Sequence, residues 1–313
     1  MILGEQTHIK VDDFGDRISQ KLLDDDVAKS AAYEKSGLIS AGKLGKPSLW
    51  AILSILGVPD TVDPYLLGKF RRGDDVEARA INFLTDLPIN LILDIIEGRV
   101  ENPGWLNVGP NAVIKGEVYL QMPTEYRGGV GYIDIGQRSP AGTIILHEIK
   151  SATKLAYDKV AATGRSAFAT AYVDGEKTKV KNYAAPYEHH AIQLAFYGLG
   201  EGIHQTFLHY FNADDYRLTS FAINPLEYKE EIDSEMDAIQ GAFENKVLPT
   251  FEPFLGWHKA YQKTTYGAFN QLGIGELLPY LKTDFPDAYE TFMKTELPTG
   301  KKVIKPTKKT KSK

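Results

Sequence analysis

One stretch, GYIDIGQRSPAGTIILHEIKS from Gly131 to Ser151, constrains the fold more than any other segment of the chain. GYIDI alternates in and out, QRSPAG carries Pro and Gly punctuation, and TIILHEIK is an apolar run of strand length. The pattern predicts two strands joined by a turn. Side chains two apart on a strand share a face, so Glu148 and Lys150 project together while His147 and Ile149 point the other way. If the strands pair, Asp134 meets Glu148. Two carboxylates converging beside one ammonium suit a hard divalent cation, which takes oxygen ligands, with a proton donor or acceptor beside it. Glu-x-Lys recurs at Glu227/Lys229 and Glu244/Lys246, in polar stretches where a solvated helix face explains it. The copy at 148–150 differs because its acidic residue ends an apolar strand and follows an Asp in a neighbouring one, where a carboxylate is costly to bury without a partner or a metal.

The flanking chain reads as helix on both sides of a strand-rich middle. Residues 12–35 carry apolar positions at helical spacing; SAGKLGKPSLWAILSILG is a loop and a buried helix opened by Pro47. In that loop Ser40 and Lys43 read as a capping serine and a solvated lysine ahead of the alternative, a pair of phosphate contacts. DPYLLGKFRRGDDVEARAINFLTD, from Asp63 to Asp86, is helical and holds Glu77 near its apolar face, where a lone glutamate reads as exposed or paired with Arg72 or Arg79. PINLILDIIEG closes a helical N-terminal third. AVIKGEVYLQM, GGVGYIDIG and TIILHEIK then form an antiparallel meander. An irregular, Lys-rich stretch follows to about residue 183, with Asp174-Gly175 as a tight turn and Lys177, Lys179 and Lys181 alternating, as a backbone-binding groove or a protected edge strand would have them. PYEHHAIQLAFYGLG is a helix ending at Gly198 or Gly200, on which His189, Gln193 and Tyr197 share one face. His189 and His190 are adjacent and diverge, which argues against zinc. HQTFLHYF and YRLTSFAI make a hairpin, and PLEYKEEIDSEMDAIQGAFENK a long amphipathic helix.

At 313 residues with 43% apolar side chains the chain can build a real core. It contains no cysteine, which excludes disulfides, thiolate zinc sites, cysteine nucleophiles and cysteine-bound iron–sulfur clusters, and makes the cytoplasm the expected compartment. Its start lacks the basic and apolar regions of a signal peptide, and no apolar run is long enough to span a bilayer. The net charge is −5, yet the last thirteen residues, KKVIKPTKKTKSK, hold seven lysines. That tail reads as an electrostatic tether or as a solvated end.

A helix with Glu77, then Asp134, then Glu148-Ile149-Lys150, then a helix with Gln193 and Tyr197: this order resembles the PD-(D/E)XK nuclease superfamily, specifically its RecB-like branch, across residues 36–225. Ile133 stands where that family usually has Pro, and the interval from Lys150 to Gln193 indicates an insertion. The resemblance implies an α/β (α+β) fold with a restriction-endonuclease-like core, its central mixed or antiparallel sheet flanked by helices. It divides the chain into a nuclease domain over residues 1–250, with a helical region up to residue 105 and a catalytic core over 106–250, then an extension over 251–300 and a basic tail over 301–313. It implies a metal-dependent DNA nuclease, most simply an exonuclease, that leaves 5′-phosphate ends in recombination, repair or processing. Asp134, Glu148, the Ile149 carbonyl and Glu77 would hold Mg²⁺ or Mn²⁺, Lys150 would orient or deprotonate water, and Gln193 and Tyr197 would position metal or phosphate. No iron–sulfur cluster is expected. DNA would be the partner, with a homo-oligomer or a recombination protein admitted, in a bacterial or phage-infected cytoplasm. The alternative is a non-catalytic nucleic-acid-binding or assembly subunit that keeps the fold.

Overall fold

The predicted strand pair at 131–151 forms, and the rest of the chain is laid on it. The computed structural model describes residues 20, 38–56, 64–173, 176–249 and 285–286, with backbone alone over 64–71, 170–173 and 176–177. The expected helix over 12–35, the Asp174-Gly175 turn, the basic tail and all of the 251–300 extension except Phe285 and Pro286 lie outside the described residues. The N-terminal region gives a short strand β1 (Ile39–Ser40), a 3-10 turn (Ala41–Lys43) and helices α1 (Ser48–Ile55), α2 (Pro64–Thr85) and α3 (Ile89–Ile96). Strands β2 (Trp105–Asn107), β3 (Glu117–Tyr126), β4 (Gly129–Arg138) and β5 (Ile144–Ala152) follow. Then come α4 (Lys154–Val160), a ribbon of β6 (Phe168–Val173) and β7 (Glu176–Lys181), α5 (Glu188–Glu201), β8 (Thr206–Asn212), β9 (Leu218–Ile223) and α6 (Lys229–Asn245).

Among the described residues seven strands join in one sheet, ordered β2-β3-β4-β5-β8-β9, with β1 added on β4. β2 to β5 are antiparallel neighbours, β5 and β8 run parallel, and β8 turns back to β9. The parallel step is long because α4, the ribbon and α5 all lie within it; the stretch after Lys150 expected to be irregular is a short helix and a two-stranded ribbon. Helices cover both faces. One face carries α2 and α3, whose Val76, Ala80, Ile81, Leu84, Ile92 and Ile95 pack on Val118, Leu120, Ile135, Ile149 and Phe211. The other carries α1, α5 and α6, packed on Leu146, Leu208 and Tyr210, with Phe285 seated against Phe243. Each Leu or Ile taken from water in these layers contributes about 1.5–3 kcal/mol.

The in-and-out alternation expected of GYIDI does not hold: Ile133 to Gln137 are all buried. Leu120 and Ile135 belong to the α2/α3 core, whereas Met122 and Ile133, two residues away on the same strands, belong to the opposite one. Plain alternation would keep each pair on one face. β3 and β4 therefore change phase together. The change on β3 occurs at Gln121, which takes the left-handed conformation with φ 46° although it is not glycine. Its rung is the one missing from the ladder, between Leu120↔Ile135 and Met122↔Ile133, and the residue facing it there is Asp134.

Helix α5 runs through Gly198 and Gly200, the expected stops, to end at Gly202 with φ 65°. The first two glycines serve close approach instead. A Cβ on Gly198 would lie 2.3 Å from Pro225 Cγ, and one on Gly200 2.6 Å from the Glu125 carbonyl. Ser40 does not cap the 3-10 turn, and Lys43 Nζ sits 4.6 Å over the Trp50 ring rather than free in water.

Gly131 is the tightest contact between α5 and β4, because a Cβ there would fall 2.4 Å from Tyr197 Cε1 and 3.0 Å from Ala41 Cβ. At Gly136 the obstacle is the flexible thioether of Met122, 2.7 Å away. Gly131→Ala is expected to lose about 1–3 kcal/mol and Gly136→Ala clearly less, measured by urea unfolding; equal losses would refute the close approach.

Candidate active site

β5 pairs with β4 from Arg138↔Ile144 to Ile135↔His147, and there the ladder stops. The next rung would set Asp134 against Glu148. Instead the strands part, and the same edge of β4 is taken up again at Gly129 and Val130 by β1. Asp134 bridges the fork by accepting the Ile149 N–H at Oδ2, 2.6 Å away. A strand residue presents its N–H and C=O to the same edge, so the Ile149 carbonyl faces the fork too.

Glu148 and Lys150 point to the α5 side together, as their spacing predicts, and Lys150 Nζ donates to Glu148 Oε1 at 2.5 Å. Glu148 is 1% exposed and its second oxygen, Oε2, has no hydrogen-bond partner. Glu77 arrives from the opposite layer. Its helix passes the end of β5 where Gly73 lies, with room for a Cβ only 3.3 Å from Ser151 Oγ, and Glu77 follows one turn later. Arg72, a candidate partner from sequence, pairs with Asp214 at 2.6 Å instead. Glu77 Oε1 accepts from Gln121 Nε2 at 3.2 Å. Gln121 is the residue that the sequence reading missed; an isolated left-handed conformation leaves no periodic signal, and a Gln in a strand of mixed polarity reads as an outward position.

Gln193 and Tyr197 do share one face of α5, and Gln193 Nε2 donates to the Tyr197 hydroxyl at 2.7 Å. The backbone of Tyr132 bonds the same hydroxyl, which ties α5 to β4 beside Asp134. The seven predicted positions therefore converge on one fork, from α2, β4, β5 and α5. His147 is turned away, as expected. It belongs to a ladder across four strands: Gln137 Oε1 to His147 Nε2 at 2.9 Å, His147 Nδ1 to His209 Nε2 at 3.0 Å, and His209 Nδ1 to Ser220 Oγ at 2.8 Å. Gln137 spends its N–H on the Lys115 carbonyl, so both imidazoles must donate through Nε2. Burial lowers His147 to about 3 and His209 to about 4, so both are neutral.

Three carboxylates and one ammonium share the fork, and the charge does not balance. Burial, then repulsion from Glu148, pushes Glu77 up to about 8, and burial, Glu148 and Glu77 push Asp134 well above the usual carboxylate range. Burial works to lower Lys150, but Glu148, Asp134 and Glu77 outweigh it and hold the ammonium above its ordinary value. Tyr197 is raised by burial and by Glu148. Among the described residues no three His, Asp or Glu side chains are placed to hold a metal ion between them. A cation here would draw on Asp134, the orphaned Glu148 Oε2, the Ile149 carbonyl and water. That oxygen-only, partly hydrated set suits Mg²⁺ or Mn²⁺, which keep several waters.

No family model matches the chain, and no curated protein does. Among solved structures, an alkaline exonuclease (LHK-Exo) from Laribacter hongkongensis aligns over 70% of this chain and 93% of that one, at 14% identity and a TM-score of 0.38. A likeness of that depth carries no functional weight. None of the described helices is long and apolar enough to cross a membrane.

Carboxyl groups raised on folding bind protons more tightly in the folded chain, so their stabilising contribution is present at low pH and is lost as pH rises through the folded value. Without added cations the melting temperature is expected to fall between about pH 4.5 and pH 8, the window of Glu77. Mg²⁺ should restore much of the loss at pH 8, and Glu77→Gln should flatten the pH slope. Calorimetry showing the same slope in wild type and variant would mean that Glu77 does not feel the other two carboxylates.

Proposed function

We propose that the chain is a metal-dependent deoxyribonuclease of the PD-(D/E)XK type in its RecB-like branch, acting as an exonuclease that leaves a 5′-phosphate and a 3′-hydroxyl. The observation that supports this reading is the fork itself: two buried carboxylates, Asp134 and Glu148, and the partly buried Glu77 face one ammonium, and a carboxylate oxygen of Glu148 is left without a partner. Two carboxylates alone would repel a phosphodiester. Asp134, Glu148 and the Ile149 carbonyl would hold Mg²⁺ or Mn²⁺, with Glu77 completing the charge from the other layer. When bound, such an ion supplies Lewis acidity toward a phosphoryl oxygen and lowers the pKa of a water.

The remaining roles belong to the chain. Lys150, kept an ammonium by its neighbours, donates hydrogen bonds into the fork, where it orients water and meets charge developing on the phosphate. Asp134 fixes the Ile149 peptide, so the carbonyl that follows that N–H is aimed before anything binds. Tyr197, held by Gln193 and by the backbone of β4, walls the fork from the α5 side. Burial of Asp134 and Glu148 strengthens the interactions they make.

Cleavage of end-labelled DNA is expected to require Mg²⁺ or Mn²⁺ and to stop in chelator, with linear substrate cut and closed circles spared. Asp134→Ala and Glu148→Ala should fold and lose activity by about 10²–10³-fold or more. Robust cutting in chelator, or unchanged rates in either variant, would sink the proposal, and tight DNA binding with no cutting by wild type would point instead to the non-catalytic subunit.

A separate titration isolates Glu77. Glu77→Gln keeps the shape and the bond to Gln121 but removes a charge, and the Mg²⁺ needed for half-maximal rate should rise by about tenfold or more. Superimposable titrations would leave Glu77 as a satisfied helix position.

A further inference from the structure

The ribbon β6–β7 is a second, two-stranded sheet that joins no strand of the main one. A lone two-stranded ribbon is marginally stable in water, and this one leaves large apolar side chains uncovered. Phe168 is 57% exposed and Val180 41%, and just past the ribbon Tyr183 is 84% exposed. The register sets Phe168 opposite Lys181, so the two share a face, and Lys179 lies on that face two residues away. Lys179 and Lys181 are both exposed. Residues 151–187, which contain the ribbon, hold six Lys and Arg against three Asp and Glu, whereas the whole chain has 36 against 41. This segment is a basic island in an acidic protein.

Its root is fixed. Asn182 donates its N–H to the Ala167 carbonyl at 2.9 Å and its side-chain amide to the Ser166 carbonyl at 2.8 Å, and Ala185 N–H bonds the Val160 carbonyl at 3.0 Å. Those bonds tie the ribbon between the end of α4, which follows directly from the strand carrying Lys150, and the start of α5, which carries Gln193. The ribbon is thus rooted between the end of α4 and the start of α5.

We infer that the β6–β7 ribbon is a nucleic-acid-binding arm, with Lys179 and Lys181 on phosphates and the exposed aromatics Phe168 and Tyr183 as surfaces for bases. Two lysines in a row on one face of an extended ribbon, with an aromatic across from one of them, offer charge and ring to a single strand, and base–aromatic stacking needs no particular sequence. Charge complementarity favours a polyanion over an apolar partner for a face that carries two ammonium groups on one strand and a ring across from one of them. The inference rests on the nuclease reading only for what the strand is delivered to.

The test is fluorescence anisotropy with labelled single-stranded DNA in chelator, so that nothing is cut, from about 50 to 200 mM salt. Wild type is compared with Lys179→Gln/Lys181→Gln and Lys179→Glu/Lys181→Glu, neither of which touches the core. Both pairs should weaken binding at mid-range salt by roughly tenfold or more and reduce the slope of log K against log salt by about 0.7 for each phosphate no longer neutralised. Hydrolysis of the small diester bis(p-nitrophenyl) phosphate with Mn²⁺ should be unchanged in both. Identical binding curves and slopes for wild type and variants would overturn the assignment, as would no binding of DNA by wild type, or capture of polyglutamate in its place. A wild type that binds DNA through the ribbon but hydrolyses neither substrate would refute the proposed function and leave the arm standing.

Discussion

One hydrogen bond, from the Ile149 N–H to Asp134, holds the place where two strands of a sheet stop pairing. Backbone groups released from a ladder inside a protein need other partners, and a fork without one would close into the next rung or fill with water. A carboxylate keeps this one open. It substitutes for the missing strand edge by taking the Ile149 N–H, so the device that parts the strands also places an acidic group in the gap. The positions of Glu148, Lys150, Glu77 and Tyr197 follow from what surrounds that gap: alternation on β5, the passage of α2 over Gly73, and the seat of Tyr197 on Gly131.

Much of this was legible in the residues. The sharing of a face by Glu148 and Lys150 is a consequence of strand geometry alone, and so is the turning away of His147. The stacking of Gln193 and Tyr197 follows from helical pitch. The long helices and the main strands between Pro47 and Asn245 read correctly because apolar periodicity is strong there and turns carry Gly, Pro and Asn, whereas β2 and the short helix α4 are too brief to show a period. Three things resisted. The alternation expected in GYIDI fails because both faces of β4 are buried around Asp134, so exposure no longer tracks parity. Glu77 gave no local sign of its role, since its neighbours in space come from β3, β4 and β5, dozens of residues away. Gly198 and Gly200 looked like a helix end, and only the position of Pro225 and Glu125 shows that they are there for closeness.

Gln121 shows the same limit from the energetic side. A non-glycine residue in the left-handed region costs on the order of 1–3 kcal/mol and persists where surrounding structure over-determines it. Here the surroundings are two cores that demand opposite phases of the same strand, with Leu120 in one and Met122 in the other. The strain falls on the rung that faces Asp134, and the side chain that results is the one that reaches Glu77. Packing on the two faces of the sheet thereby sets the alignment of a carboxylate between them.

The pairing of β1 with β4 carries a consequence for how the molecule assembles. The β3-β4-β5 meander closes over short intervals of chain, while Ile39 must find Gly129 across most of the N-terminal half. Long-range closures lose more chain entropy and gate folding more slowly than local hairpins do. Asp134 and Glu148 are therefore brought near each other early, by hairpin formation, and the far wall of the fork arrives with β1 and the 3-10 turn that follows it. The acidic pair thus depends on a short-range closure and its enclosure on a long-range one, a difference written into the topology rather than into the residues of the site.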